Sequence, residues 1–261
     1  MQEGVKIEEN IEPTRRFSNR AELYAKYRPG YPKELVSFLR DELNLRPFHM
    51  IADVGSGTGL LSKLFLDNGN VVYAVEPNRE MRQVADAKFG GNPNFHSIDA
   101  TAEHTTLAEH RIDFVTVAQA FHWFDQALTR LEFKRILTLE GFVVLISNDR
   151  KKTDGFMNSY EKLLLKYAPN YKEQTHQDIS EKEINAFFGN DSLGKKNFDN
   201  YHCLDLEGFI GRLMSSSFVP LDLSLQPSVN KEIEEIFERY QFNGKVRFEY
   251  ITRLWYGKIR D

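Results

Sequence analysis

From Pro32 onward, Leu35, Phe38, Leu39 and Leu43 recur at helical spacing, and the proline suits a first helical turn, so an amphipathic helix opens the regular part of the chain. Residues 1 to about 18 carry few apolar residues and no periodicity, and they read as an arm or tail. A short apolar run at 50–54 then meets Gly55, Gly57 and Gly59 and passes into 60–66, where Leu61, Leu64 and Phe65 form one face and Gly69 closes the helix. The alternation continues as strand 71–75, helix 79–88, strand 95–98, strand 112–118, helix 126–136 and strand 142–147. Strand and helix taking turns at this spacing imply right-handed crossovers and a parallel sheet covered on both faces.

After Asp149 the period changes. Met157, Tyr160, Leu164 and Tyr167 are in helical phase, and Ser180 with Glu183 makes a capping box before a helix that Gly189 closes. The tail offers two extended segments, 197–204 and 246–258, separated by helices near 206–214 and 231–240, which suits antiparallel edge strands. The fold class predicted is α/β: a doubly wound, mostly parallel, seven-stranded sheet with an antiparallel edge hairpin and a helical insertion. Residues 1–150 form a cap segment and core, 151–195 a helical insertion placed as a lid over the sheet's carboxyl edge or as a dimer surface, and 196–261 the completion of the sheet.

With 261 residues, of which 41% are hydrophobic and 28% charged, the chain supports one domain with additions. The formal net charge is -4 and lysine and arginine are scattered, so no electrostatic footprint for nucleic acid appears. No apolar run approaches the roughly 18 residues of a membrane span, and the polar start has no apolar leader core, so no membrane partner and a cytoplasmic location are expected. Cys203 is the only cysteine, which leaves no intrachain disulfide or thiolate metal cluster, and no metal site is expected.

The segment ADVGSGTGLLS concentrates the chemistry, because glycines between a strand and a helix let backbone approach a ligand closely. The nicotinamide dinucleotide pattern wants its third glycine at position 60, which is Leu60, so that class of ligand is disfavoured. Glu76 ends the next strand, where its carboxylate either accepts both hydroxyls of a ribose or is a solvated strand-end charge.

Together with VVYAVEPNREM, this loop resembles the Rossmann-like, class I methyltransferases, in particular the type 11 group and proteins similar to trans-aconitate methyltransferase. The likeness covers residues 17–147, with a weaker trace in the tail. It implies S-adenosylmethionine as cofactor, with Asp53 near its amino group, Gly55, Ser56, Gly57, Thr58 and Gly59 as the methionine-side loop, Glu76 at the ribose, and Pro77 and Met81 among the cofactor-binding residues. In HSIDATAEHTTL it sets Asp99 on the adenine amine and Ala100 beside it; alternatively Asp99 caps a following helix. In AQAFHWFD it turns Gln119, Ala120 and His122 to the cofactor, whereas Phe121, Trp123 and Phe124 serve equally as core aromatics. In AELYAKYRPGYP it closes Tyr24, Tyr27 and Arg28 over the donor, with Arg28 suited to a carboxylate; the alternative is a polar turn. The tail motif LEGFIGRLMSSSFVP resembles a substrate-side helix and loop at 212–216.

The activity implied is methyl transfer to a small-molecule acceptor by a monomer or weak homodimer. His122 and Tyr27 are the candidate catalytic residues, wanted as bases only if the acceptor must lose a proton. No Asn-Pro-Pro-Tyr and no Pro-Cys pair follows the fourth strand, against amide or pyrimidine methylation. The alternatives are a non-catalytic binder of the cofactor or its demethylated product and, more distantly, an oxidoreductase.

Overall fold

The computed structural model describes residues 20–151, 155–168, 171, 180–189, 193–220, 222–223 and 226–259. The arm expected at 1–18 lies outside them. Five strands, β1 (Met50–Val54), β2 (Val71–Val75), β3 (Phe95–Ile98), β4 (Ile112–Ala118) and β5 (Leu137–Arg150), pair in parallel in the order β3-β2-β1-β4-β5. β7 (Val246–Gly257) then runs antiparallel to β5, and β6 (Gly194–Leu204) antiparallel to β7 at the edge, giving a seven-stranded sheet. The central strands β1 and β4 are buried at nearly every position because helices cover both faces, as parallel sheets require.

The helices are α1 (Ala21–Tyr27), α2 (Glu34–Leu43), α3 (Ser62–Asp67), α4 (Arg79–Phe89), α5 (Gln126–Ile136), α6 (Phe156–Tyr167), α7 (Glu181–Phe188), α8 (Leu206–Met214) and α9 (Pro227–Tyr240). Several begin on a side-chain cap that satisfies otherwise orphaned N–H groups: Asn78 for α4, Asp125 for α5, Asp205 for α8, and the Ser180–Glu183 box for α7. On one face of the sheet Leu35, Leu39 and Phe65 pack against Ile51, Val72, Phe114 and Val144. On the other, Phe133, Ile136, Ile184, Phe187 and Phe188 pack against Val54, Val115 and Val143. A third cluster joins α6, α8 and α9 to Phe248 and Tyr250 of β7.

Three features differ from the sequence expectation. β5 begins at Leu137, directly after α5, with a register irregularity opposite residues 112–114, and it runs on to Arg150 past its last pairing with β4, Ala118↔Ile146. Hydrogen bonding to the long β7 carries that extension, which the polar residues at 148–150 do not announce. α3 starts only at Ser62, because residues 55–61 are occupied by the glycine turn. The insertion is divided: α7 covers the sheet beside α5, while α6 packs with α8 and α9, so the described residues of 151–195 do not form one lid.

Candidate active site

The carboxyl ends of β1, β2 and β4 meet around the glycine turn. Gly55 and Ser56 both donate N–H to the Val75 carbonyl (2.8 and 3.1 Å), bending the chain over the end of β2. The three glycines are there for different reasons. A Cβ at Gly55 would lie 2.5 Å from that of Ala120, and one at Gly59 2.7 Å from the Phe89 ring, so both are needed for packing. Gly57 adopts φ +56 with nothing within 4 Å of where a Cβ would stand, so here the missing side chain keeps space open. That space belongs to a cleft whose lining includes Asp53, Ser56, Thr58, Tyr24, Tyr31 and Ala118. The Thr58 hydroxyl is buried beside it without a hydrogen-bond partner among the described residues.

Glu76 is buried, and its two oxygens accept the N–H groups of Gly57 and Asn78, each at 2.9 Å. A carboxylate offers about four lone-pair positions, so each oxygen keeps one for a ligand hydroxyl. Burial raises the Glu76 carboxyl above its ordinary range, opposed by those two N–H donors. Asp53 accepts from the Ser62 and Thr116 hydroxyls (2.5 and 3.2 Å), and burial pushes it up to about 6. Pro77 is half-buried, and Met81 is buried with its N–H on the Asn78 cap.

Asp99 is exposed and pairs with Arg82 (2.5 Å), which in turn donates to the Glu76 carbonyl (2.7 Å). No helix follows it: Thr101 and His104 close a tight bridge, so the capping alternative for Asp99 is corrected, and Ala100 is half-buried beside it. After β4, Gln119 takes φ 59 and its side chain donates to the Asn148 carbonyl of β5 (2.9 Å), turned toward that strand. Ala120 packs on Gly55, and Phe121 is a core residue edge-on to Phe187. His122 is exposed on the short 3-10 turn Phe121–Trp123, its ring 4.5 Å from that of Trp123.

Tyr27 is placed elsewhere than its catalytic reading requires. Its ring packs where a Cβ of Gly211 in α8 would stand, and its hydroxyl donates to Glu207 (2.7 Å), so it docks α1 on α8 and does not line the cavity. Arg28 lies 5.0 Å from the Tyr24 ring and donates to the Ser215 hydroxyl and carbonyl (both 3.1 Å).

Cavity residues that the sequence did not assign to the site are Leu60, Leu61 and Ala118, while Tyr31 lies in the 24–31 segment expected to shape the pocket. Tyr31 sits in the same RPGYP run as Arg28, which was the available signal. Buried Arg20 donates to the carbonyls of Met214 (3.0 Å), Ser216 and Val219 (2.5 Å), a link no periodicity reveals. Among the described residues, no group of three or more His, Cys, Asp or Glu is arranged for a metal ion, and no helix is long and apolar enough to cross a membrane.

A β3-β2-β1-β4-β5-β7-β6 sheet with a glycine turn at its carboxyl edge and an acid following β2 is the Rossmann-like fold found in methyltransferases. Residues 52–145 match the family described as "Methyltransferase domain". It is 32% identical over 148 residues to an uncharacterized methyltransferase of Mycobacterium tuberculosis, covering 57% of this chain and 58% of that one, so it spans little more than half the length of that relative. An uncharacterized methyltransferase-like protein of Schizosaccharomyces pombe is 27% identical over 240 residues, covering 88% of this chain and 90% of its own. The YcgJ protein of Bacillus subtilis shares the fold at 19% identity with a TM-score of 0.54, covering 88% of this chain and all of that one (100%). These relatives name no acceptor.

Proposed function

We propose that this chain binds S-adenosylmethionine in the glycine-turn cleft and transfers its methyl group to a small-molecule acceptor. The observation that carries this is the open space over Gly57 beside a buried Glu76 whose oxygens each keep a lone pair. An adenosine ribose fits that arrangement: Gly57 leaves room for it, and Glu76 accepts its hydroxyls. Asp53, at the base of the turn, takes the amino group of the methionine end, and Tyr24 with Tyr31 closes the cavity wall. Pro77, Met81 and Asp99, with the Ala100 backbone, frame the adenine side.

The bound cofactor supplies a sulfonium methyl already activated for displacement. The protein's task is then alignment and exclusion of water, and positioning of this kind contributes about 7 to 11 kcal/mol in well-oriented systems. His122 is exposed on the turn that follows β4, whose last residue Ala118 lines the cleft, and serves as base if the acceptor is a phenol or hydroxyl.

The test is transfer of labelled methyl from S-adenosylmethionine across a panel of small carboxylic acids, phenols, amines and thiols. Turnover on one acceptor class is expected. Cofactor binding with no turnover on any would favour a non-catalytic binder of the same fold.

A further inference from the structure

Beyond the glycine turn, α1 and α8 bring two arginines together. Arg28 Nη2 and Arg212 Nη1 both donate to the Ser216 hydroxyl, at 3.5 and 3.4 Å. Arg212 is 2% exposed and also donates to the Tyr250 hydroxyl at 3.2 Å. Neither guanidinium has a carboxylate within ion-pair distance among the described residues, although the chain carries 38 aspartates and glutamates. An enclosed charge without a counter-ion is costly, and two like charges side by side add repulsion. Burial, with Arg212 as the next cause, lowers the Arg28 guanidinium to about 10.

Arg20 caps the end of α8 with three carbonyl contacts. Two further polar atoms nearby are buried and without a hydrogen-bond partner among the described residues: the hydroxyl of fully buried Tyr160, whose ring centre lies 5.9 Å from the Arg212 guanidinium, and Nδ1 of His202. Burial and Arg212 both push the His202 imidazole toward its neutral form. The cluster adjoins the cavity through Tyr24, which lines the cavity and stacks under Arg28.

We propose that Arg28 and Arg212 form an anion subsite that holds a carboxylate or phosphate group of the methyl acceptor beside the methyl-donor cleft. This rests on the methyl-transfer function proposed above and assigns the acceptor a charge. Paired guanidinium forks match the oxygens of such a group, and the Tyr160 hydroxyl supplies a further donor. Arg28 reaches Ser215 and Ser216 and does not itself line the cavity, so the acceptor's anion takes it in preference to the carboxylate of the cofactor's methionine.

The test uses the full chain in two calorimetric stages. S-adenosylhomocysteine is titrated first; the saturated complex is then titrated with succinate, inorganic phosphate or uncharged dimethyl succinate. Succinate or phosphate is expected to bind and the diester not to. Arg212→Gln, checked for folding by circular dichroism, is expected to weaken the anion about tenfold or more while S-adenosylhomocysteine stays within about threefold. The subsite is overturned if neither anion binds the wild-type complex, if the diester binds as well as succinate, or if Arg212→Gln weakens S-adenosylhomocysteine as much as the anion. The wild-type comparison stands even if the variant does not fold. Failure of S-adenosylhomocysteine to bind at the first stage rejects the methyl-transfer function itself, and the subsite with it.

Discussion

Glu76 works through what its neighbours leave unused. Two backbone N–H groups fix its orientation, and burial keeps water from competing for its remaining lone pairs. Removing an acceptor that meets a ligand hydroxyl costs about 1 to 3 kcal/mol, so Glu76→Ala should weaken S-adenosylhomocysteine by roughly 5- to 150-fold in equilibrium dialysis. Unchanged affinity would return Glu76 to a purely structural part. Asp53 makes a different prediction, because its folded pKa, about 6, lies above the ordinary 3.8. The folded chain therefore holds a proton there that the unfolded chain releases, and this contribution to stability is lost as pH rises between about 4 and about 6. Glu76 is raised in the same direction and adds to the trend. Asp53→Asn should flatten urea-unfolding stability across that window, by up to about 3 kcal/mol, whereas an equal pH slope in both proteins would contradict it. Both acids were legible in the sequence because each lies at the end of a β-strand beside the turn. The pairing of Asp99 with Arg82 and of Tyr27 with Glu207 was not, since those contacts join segments that no local pattern relates.

At the level of elements, α1 is the piece that couples packing to the site. It carries Tyr24 to the cavity, and it is docked on α8 by Tyr27 over Gly211, with Tyr27 and Lys26 both on Glu207. A methyl at Gly211 would stand 2.2 Å from the Tyr27 ring. Gly211→Ala should therefore destabilise the chain by about 1 to 3 kcal/mol and also weaken S-adenosylhomocysteine, as read by thermal unfolding with and without ligand. By contrast, Ser180→Ala removes the capping box of α7, a helix that lends no residue to the cavity lining, and should cost about 1 kcal/mol with ligand affinity unchanged. If both variants lost affinity alike, α1 would have no special link to the site. The caps and the closing Gly189 were readable because capping is local chemistry. The separate destinations of α6 and α7 were not, because both have amphipathic faces and only the sheet decides where each is buried.

Over the whole molecule, the alternating elements place every βα turn of the parallel strands at one edge of the sheet, and the antiparallel β7–β6 pair extends the sheet on the far side of β5. This much was legible from the period of the apolar positions, which records what each face is buried against. The irregular start of β5 was hidden because residues 138–141 interrupt the apolar run. A ligand that binds only the folded chain stabilises it by about 2.7 kcal/mol at a hundredfold excess over its Kd, so S-adenosylhomocysteine should raise the unfolding temperature and NAD should not. The most direct measurement of the central claim is calorimetric titration of S-adenosylhomocysteine into the wild-type chain and into Gly57→Val. A side chain there enters the open space of the cavity, and its left-handed backbone strain costs only roughly 1 to 2 kcal/mol per residue, which circular dichroism can show the fold survives. One-to-one binding to the wild type, lost in the folded variant, is the result predicted; no binding to the wild type, or the same affinity in both, would contradict a methyl-donor site at this turn.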